Sequence, residues 1–363
     1  MSPVSSPPGG RRWPVAVLGA TGAVGQTFIR LLDGHPWFTL AEVAASERSV
    51  GKRYADATSW IGGGQVPAAA ADLPVVACDP AAVRSPIVFS ALDSSVAGEV
   101  EQAFARAGRL VLSNAKNHRM DADVPLVVPD VNADHQTLIA RQRAARGWAG
   151  AIITNSNCAA AVAAMALKPL HDAFGLTQCF ITTMQAVSGA GYPGVPSLDI
   201  LGNVIPFIAD EEPKIEAELP KLLGALGPSG VVPASIRVSA QANRVPVEHG
   251  HTACLSLGFE RAPTPEDATA VMRAWQGPVG VRGLPSAPTQ PIQLAEQPNR
   301  PQPRRDVMVG DGMSVVVGRV RPDPVLHLRL VVLGHNVIVG AAGASVLNAE
   351  WLASRGLLPE VRA

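Results

Sequence analysis

The sequence predicts an α/β fold in which a doubly wound parallel sheet is combined with a second domain of α+β structure. Over the first 150 residues, short apolar runs alternate with helical patterns, which is typical of parallel strands with helices on both faces of the sheet. Beyond residue 150, strand patterns follow one another with few helices between them, which indicates a mixed or antiparallel sheet. A length of 363 residues also favours two packed domains over one.

Composition excludes several classes of protein. The 30 basic and 30 acidic residues balance, which argues against a nucleic-acid or membrane-surface protein. No apolar run is long enough to span a bilayer, and residues 1–13 lack the apolar core of a signal peptide, so we expect a flexible leader there. Four cysteines without a CxxC pair do not form a disulfide framework. We therefore expect a cytoplasmic protein with reduced thiols.

The predicted elements follow in chain order. Strands of the first sheet are predicted at residues 13–18, 39–45, 86–90 and 109–113. The second region is predicted to contain a strand at 151–154, an Ala-rich helix at 158–171, and strands at 180–185, 252–259, 313–320 and 325–332. The segment 284–305 is dense in Pro, Gln and Arg and is expected to be an ordered surface excursion, and the helical tail 340–358 is expected to return to the first domain.

A glycine loop, Gly19-x-x-Gly22-x-x-Gly25, lies between the first strand and an amphipathic helix. Glycines let the turn close tightly and let backbone amides approach a pyrophosphate at the start of the helix. Thr21 adds a hydroxyl to the loop. Nucleotide binding is the favoured interpretation, and a tight turn without a ligand is the alternative.

The loop after the second strand bears on the choice between NAD and NADP. Ser46, Arg48 and Ser49 favour the 2′-phosphate of NADP, whereas Glu47 would suit the ribose hydroxyl of NAD. We predict NADP. A solvated pair of cations, Arg48 and Lys52, is the alternative explanation for the basic residues.

Cys158 follows Asn157 between a predicted strand and a helix. The helix dipole and free amides of a first turn stabilise a thiolate, so the pKa of this thiol is expected to fall. The Asn157 carboxamide could stabilise an oxyanion on a bound carbonyl. Alternatively, Cys158 is a small buried apolar residue, as we expect Cys78, Cys179 and Cys254 to be.

A second group of candidates lies between Arg244 and His251. Arginine binds a carboxylate through two parallel hydrogen bonds, and histidine moves protons near neutral pH. His249 and His251 could also bind zinc, but a third ligand with suitable spacing is missing, so no metal is expected. Glu211 and Lys214, taken alone, would be read as the solvated start of a helix.

Taken together, these residues resemble the aspartate-semialdehyde dehydrogenase family, specifically its archaeal and fungal branch. The similarity extends from Val15 to Trp351. The stretches that carry it are residues 184–200, 244–251, 300–303 and 340–348. Malonyl-CoA reductase shares this framework and is the main rival.

The resemblance implies a role for each matching residue. Cys158 matches the nucleophile, His251 rather than His249 the general acid/base, and Gln185 the residue that orients the acyl intermediate. Asn157 remains a further catalytic candidate. Arg119, Glu211, Lys214 and Arg244 match substrate positions, of which Glu211 and Lys214 correspond to the amine and phosphate contacts and Arg119 to the phosphate-binding arginine. The cofactor positions, with the loop glycines, are Gly19, Thr21, Gly22, Ala23, Val24, Gly25, Ser46, Arg48, Ser49, Ser188, Gly189 and Asn336.

The implied reaction is the reversible reduction of 4-phospho-L-aspartate by NADPH through a thioester on Cys158. The implied architecture is a Rossmann-type NADP-binding domain (residues 1–150 and 337–363) into which a catalytic and dimerisation domain (151–336) is inserted. A homodimer or homotetramer is expected, with no nucleic-acid or membrane partner.

This chain departs from the family pattern at two places. Ala159, Ala160 and Ala161 stand where a Ser or Thr usually follows the cysteine, and Val337 and Val339 replace polar residues near the C-terminus. The alternatives are therefore a paralogue acting on a related acyl phosphate, an acyl-CoA reductase and a catalytically silent NADP-binding regulator. Glu211 and Lys214 argue against the acyl-CoA reductase.

Overall fold

The computed structural model of the protein describes residues 6–359. Of the predicted leader, residues 1–5 lie outside the described part, Pro8–Gly10 forms a single 3-10 turn, and Trp13 already belongs to the first strand. Within the described range, no helix combines the length and the apolar character needed to cross a bilayer.

The first sheet has seven parallel strands in the order β3-β2-β1-β4-β5-β7-β6. Its strands are β1 (Trp13–Leu18), β2 (Phe38–Ala45), β3 (Val75–Ala77), β4 (Ile87–Ser90), β5 (Leu110–Ser113), β6 (Leu126–Val127) and β7 (Ala151–Asn155). The helices between them are α1 (Ala23–Leu32), α2 (Tyr54–Ala57), α3 (Ala68–Ala71), α4 (Ser94–Arg106), α5 (Pro129–Asn132) and α6 (Leu138–Arg146). The predicted doubly wound fold is confirmed, and β7, just beyond residue 150, pairs within this sheet.

The second sheet is mixed, with six strands in the order β11-β8-β12-β15-β14-β13. Its strands are β8 (Leu176–Gln185), β11 (Arg237–Arg244), β12 (His251–Phe259), β13 (Ile292–Ala295), β14 (Val315–Pro322) and β15 (Leu328–Gly334), and a separate hairpin joins β9 (Ala225–Gly227) to β10 (Gly230–Val232). The helices are α7 (Cys158–Phe174), α8 (Ser197–Ile200), α9 (Glu211–Leu222), α10 (Pro265–Ala274), α11 (Pro303–Asp306) and α12 (Gly343–Ser354). The excursion at 284–305 therefore contains an edge strand, β13, that the Pro-rich composition concealed.

Helix α7 covers one face of the second sheet. Its alanines between residues 159 and 166 are buried, and such small side chains let the helix approach the strands closely. On the opposite face Phe180 and Cys254 are exposed. The expectation that Cys254 is buried is therefore wrong, because alternate residues of a strand face opposite sides and only one side of this sheet is covered. Cys179 is buried, as expected, and Cys78 is half-buried.

The C-terminal segment returns to the first sheet, as the sequence predicts. A π-helical turn at Ile338–Ala342 leads into α12, which packs against α1 and β5. This return closes one wall of the cavity described below, since Gly340 lies against Cys158 so tightly that an added Cβ would come within 2.9 Å of the cysteine Cβ.

Candidate active site

A cavity of about 500 Å³ lies at the end of the first sheet where β7 leads into α7. It is lined by Val24 from the start of α1, by Cys158 from the start of α7 and by Gln185 and Arg244 from the ends of β8 and β11. The structure brings the candidate substrate residues to this cavity with the thiol; they are Arg119, Glu211, Lys214 and Arg244.

The cysteine and one histidine form a close pair. The Cys158 Sγ lies 3.1 Å from the His251 Nε2. The other ring nitrogen, Nδ1, accepts a hydrogen bond from the Ala186 amide at 3.1 Å. Since a neutral imidazole has one N–H, this amide fixes the tautomer in which the Nε2–H of His251 faces the sulfur.

Burial keeps both members of this pair uncharged. Burial, with repulsion from Glu211, raises the pKa of the Cys158 thiol to about 12, against the weaker attraction of Arg119, Arg244 and the Ala159 amide. Burial also lowers the pKa of His251 to about 3, with further lowering by Arg244 and His335. A neutral thiol beside a neutral imidazole is the form present near neutrality.

The predicted fall in the pKa of Cys158 is therefore wrong for this structure. The amides expected to stabilise a thiolate are already engaged, because the Asn157 Oδ1 accepts from the N–H groups of Ala159 and Ala160, both at 3.0 Å. Asn157 is thus the N-cap of α7 and competes with the sulfur for the same donors.

Three amide and carboxylate groups meet beside the thiol. The Glu211 Oε1 accepts hydrogen bonds from the Asn157 Nδ2 at 2.7 Å and from the Gln185 Nε2 at 2.9 Å. The Lys214 Nζ lies 3.7 Å from the Glu211 Oε2. Glu211 is 6% exposed, so this is not the solvated helix start that the local sequence alone suggests.

Two buried arginines face the same cavity. The Arg244 Nη1 donates to the Ala186 carbonyl at 2.8 Å, and burial lowers the pKa of Arg244. The Arg119 Nη1 donates to the Glu218 Oε1 at 3.0 Å and its Nη2 to the Asn114 carbonyl at 2.9 Å. Glu218 was missed from the sequence, although its spacing from Glu211 along α9 places both on one helix face.

Ser188, Gly189 and Asn336 also line the cavity. A Cβ at Gly189 would lie 2.9 Å from the Arg244 Nη1 and 3.0 Å from the His251 Cε1, so glycine is needed there. The Asn336 Nδ2 donates to the Ser188 Oγ at 2.9 Å, and its Oδ1 accepts from the Gly250 amide at 2.9 Å.

The glycine loop fits a dinucleotide. Gly19 has a φ of +68° and lies so close to the next strand that an added Cβ would meet the Ala91 carbonyl oxygen at 2.5 Å. Gly22 is the N-cap of α1 and supplies no side-chain cap, so no side chain competes for the first-turn amides of Ala23, Val24 and Gly25. Val24 borders the same cavity as Cys158, which places the glycine loop and the thiol on one continuous space.

The remaining candidates lie farther from the thiol. Ser46 and Arg48 are exposed in the turn after β2, where the Ser49 amide donates to the Ser46 carbonyl at 2.8 Å. Among residues 6–359 no group of three or more His, Cys, Asp or Glu could hold a metal ion. His249 instead contacts the Ser188 Oγ at 3.0 Å and stacks on His335.

The departures from the family pattern fall in two environments. Ala159, Ala160, Ala161 and Val339 are buried in the core, whereas Val337 borders the cavity. The alanines after the cysteine thus serve the packing of α7, and Val337 is the departure that changes the character of the cavity wall.

Comparisons with known proteins agree with this site. Residues 14–139 match the NAD binding domain of the semialdehyde dehydrogenases, and residues 167–339 match their dimerisation domain. The aspartate-semialdehyde dehydrogenase of Archaeoglobus fulgidus is 51% identical over 94% of this chain and 98% of that protein. The Schizosaccharomyces pombe enzyme is 47% identical over 95% of this chain and 99% of that protein. The crystal structure of aspartate semialdehyde dehydrogenase with NADP from Candida albicans covers 95% of this chain and 100% of that one, with a TM-score of 0.88 and 44% identity. The chain therefore belongs to the aspartate-semialdehyde dehydrogenase family.

Proposed function

We propose that the protein catalyses the reversible NADPH-dependent reduction of 4-phospho-L-aspartate to L-aspartate 4-semialdehyde and phosphate. The observation that carries this conclusion is the Cys158 Sγ, 3.1 Å from the His251 Nε2, in a cavity that also holds Arg119, Lys214 and Arg244. A thiol nucleophile suits an acyl group, and cations suit an acidic, phosphorylated substrate. The protein is an NADP-dependent, phosphorylating aldehyde dehydrogenase.

The charges of the cavity suggest how the substrate is oriented. We assign the substrate carboxylate to Arg244, the amine to Glu211 and the phosphoryl group to Arg119 and Lys214. Arg244 and Arg119 have planar guanidinium groups that can bind oxyanions through two hydrogen bonds. Glu211 is the acidic group beside the thiol, and Gln185 and Asn157 fix its carboxylate by hydrogen bonds.

The thiol then acts in two stages. The Cys158 sulfur forms a bond to the acyl carbon, the carbon–oxygen bond to phosphate breaks, and phosphate leaves with Arg119 and Lys214 balancing its charge. Because the thiol is neutral at rest, its proton passes to the departing phosphate as the sulfur–carbon bond forms. Bound NADPH supplies the hydride that reduces the carbonyl carbon of the thioester. When the carbon–sulfur bond breaks to release the aldehyde, the Nε2–H of His251 donates to the departing sulfur and stabilises its negative charge.

The cofactor is NADP, and we assign its contacts to the glycine loop and the turn after β2. The loop residues Gly19, Thr21, Gly22, Ala23, Val24 and Gly25 would hold the pyrophosphate, and Ser46, Arg48 and Ser49 the 2′-phosphate. Ser188, Gly189 and Asn336 border the cavity next to Cys158 and are assigned to the nicotinamide end.

We propose a division into an NADP-binding domain of residues 1–150 and 337–363 and a catalytic and dimerisation domain of residues 151–336, with the boundary strand β7 belonging to the first sheet. The match of residues 167–339 to a dimerisation domain supports assembly of this chain with itself. We propose a homodimer or homotetramer in the cytoplasm, formed through the uncovered face of the second sheet, where Phe180 is 52% exposed.

The test is an assay of the purified protein with aspartate semialdehyde, phosphate and NADP, in which absorbance of the reduced cofactor is followed. We expect reduced cofactor to form only when phosphate is present. Parallel reactions replace phosphate with coenzyme A, or the aldehyde with a homologue one carbon longer. A signal that depends on coenzyme A and not on phosphate would contradict the proposal in favour of an acyl-CoA reductase, and a faster reaction with the homologue would favour a paralogue.

A further inference from the structure

Helix α9 has a polar face that continues beyond the substrate residues. Glu211, Lys214, Glu218 and Lys221 recur at intervals of three and four residues, which places their side chains on one face of the helix. Glu218 is 2% and Lys221 is 5% exposed. Charged side chains are buried at this level only when they are paired, so the partners of these two residues indicate what they do.

Glu218 connects the cation of the cavity to the nucleophile segment. Its Oε1 accepts from the Arg119 Nη1 at 3.0 Å, and its Oε2 accepts from the Asn157 amide at 2.5 Å. Burial raises the pKa of Glu218, while Arg119 and the Asn157 amide act in the opposite direction. Both oxygens face N–H donors, so a proton on the carboxyl would have no acceptor there, and the ionised form is the one that satisfies this geometry.

Lys221 holds the backbone of the same arginine. Its Nζ donates to the carbonyls of Arg119, Asp121 and Val124 at 2.6, 2.9 and 3.3 Å. An ammonium has three N–H groups, and this lysine donates all three to carbonyls of one loop. The side chain of Arg119 is thus fixed by Glu218, and its main chain is fixed by Lys221 one turn further along α9.

Arg119 retains hydrogen-bonding capacity for a ligand. Of the five N–H groups of its guanidinium, one is used by Glu218 and one by the Asn114 carbonyl. Arg119 borders the cavity together with Cys158 and Lys214. Contacts to Glu218 and to the Asn114 carbonyl fix the plane of the guanidinium, and the plane decides where its remaining N–H groups point.

We propose that Glu218 and Lys221 are positioning residues: they fix the orientation of Arg119 relative to Cys158 and thereby set the affinity of the site for the phosphoryl group. This inference rests on the proposed function. Helix α9 would then contribute substrate contacts from its first turn and alignment of the opposing cation from its later turns. A displaced Arg119 would weaken phosphate binding without altering the cofactor or the aldehyde contacts.

The first test compares Glu218→Gln with Glu216→Gln. Glutamine at 218 must turn its NH₂ group toward one of two N–H donors, so one of the two contacts is lost. Glu216 lies on the same helix and accepts from the Ala240 amide at 2.9 Å, a contact that a glutamine oxygen can keep. In the oxidation direction we expect Glu218→Gln to raise the KM for phosphate about tenfold or more, with less than about a twofold change in the KM for NADP and for the aldehyde. Glu216→Gln should behave like the wild type.

A double-mutant cycle separates positioning from general stability. In an Arg119→Ala background, Glu218→Gln should add less than about a twofold change in the KM for phosphate, because its effect passes through Arg119. Lys221→Met, which removes the carbonyl contacts, should reproduce the phosphate effect if the variant folds. An equal effect of Glu218→Gln with and without Arg119, or parallel rises of all three KM values, would overturn the proposal.

An assay without turnover distinguishes this inference from the proposed function. Inorganic phosphate should slow the alkylation of Cys158 by iodoacetamide, and mass spectrometry gives the phosphate concentration for half-protection. That concentration should rise about tenfold in Glu218→Gln and not in Glu216→Gln. If phosphate protects Cys158 in the wild type and about tenfold less tightly in Glu218→Gln, but phosphate-dependent turnover is absent, the function is wrong and the positioning stands. If the wild type turns over and Glu218→Gln matches Glu216→Gln in both assays, the positioning is wrong.

Discussion

The reactive pair and the buried arginines of the cavity respond to burial in different ways. Cys158 and His251 lose their charge, because burial raises the pKa of the thiol to about 12 and lowers that of the imidazole to about 3. Arg119, which borders the same cavity, is also buried and is matched by a carboxylate, Glu218, 3.0 Å away. The reactive groups are thus kept neutral, and Arg119 is kept charged by pairing.

This difference separates chemistry from recognition within one site. A neutral thiol does not attract the carboxylate or phosphoryl group of a ligand, and it does not neutralise the cations that bind them. Negative charge therefore develops on the sulfur only as the reaction proceeds, beside the Nε2–H of His251. Substitutions of the reactive pair should lower kcat, whereas substitutions of the buried arginines should raise KM.

Replacement of the sulfur is expected to have the largest effect. Cys158→Ser should lower kcat by about three orders of magnitude or more, because an alcohol is a far weaker nucleophile than a thiol near neutral pH. Initial rates of cofactor reduction give the value, and NADP binding to the variant should stay within about twofold of the wild type. Cys254→Ser, on the exposed face of β12, is the matched control and should keep full activity. Near-normal turnover by Cys158→Ser would contradict the thioester mechanism.

The pH dependence of thiol reactivity tests the neutral pair. With its pKa raised to about 12, Cys158 should be alkylated by iodoacetamide about tenfold faster for each unit of pH between about pH 7 and pH 10, without a plateau. The sign follows from the raised pKa, since below it the thiolate fraction grows with pH. His251, whose pKa lies at about 3, stays neutral over this range and adds no step. The rate for Cys158 would be measured by mass spectrometry of the alkylated peptide.

A plateau of that rate below about pH 8 would mean a preformed thiolate–imidazolium pair, as in thiols whose pKa is lowered by a histidine. The distinction between a neutral reactive pair and charged arginines would then be lost. Cys78, which is half-buried and whose thiol donates to the Ala45 carbonyl at 3.6 Å, provides the internal comparison within the same digest.

Local patterns were sufficient for the fold and for the position of the nucleophile. The apolar run of β1 and the glycines after it predict the dinucleotide-binding loop, because each signal lies within a few residues of chain. Cys158 at the start of α7 could likewise be placed from the strand–helix boundary. His251 needed the resemblance to the family, because nothing in its neighbourhood separates it from His249.

Properties that depend on distant segments could not be predicted. The pKa of Cys158 depends first on its burial and then on Glu211, which lies on another helix, and Asn157 takes two of the helix amides. Glu218 on α9 pairs with Arg119, which lies in a loop distant in sequence. Its spacing from Glu211 along the helix was the one local signal for a role of Glu218 in the site. The edge strand β13 pairs in parallel with β14, a contact that the Pro-rich sequence around it does not indicate.

Arg244→Lys should raise the KM for aspartate semialdehyde about ten- to a hundredfold and lower kcat less than about threefold, a smaller effect than those expected at Cys158. Arg244 already gives one N–H to the Ala186 carbonyl at 2.8 Å, and a lysine ammonium cannot keep that contact and offer a carboxylate two parallel hydrogen bonds. Steady-state kinetics with saturating phosphate and NADP measure both constants.

Arg237→Lys, at the exposed start of the same strand, is the control and should change neither constant. A large fall in kcat with an unchanged KM would contradict the separation, since it would place Arg244 with the reactive groups. That outcome has a physical route, because Arg244 is one of the charges that lower the pKa of His251. A rise in KM alone would show that this electrostatic influence is small beside burial, and that the buried arginines and the reactive pair act independently.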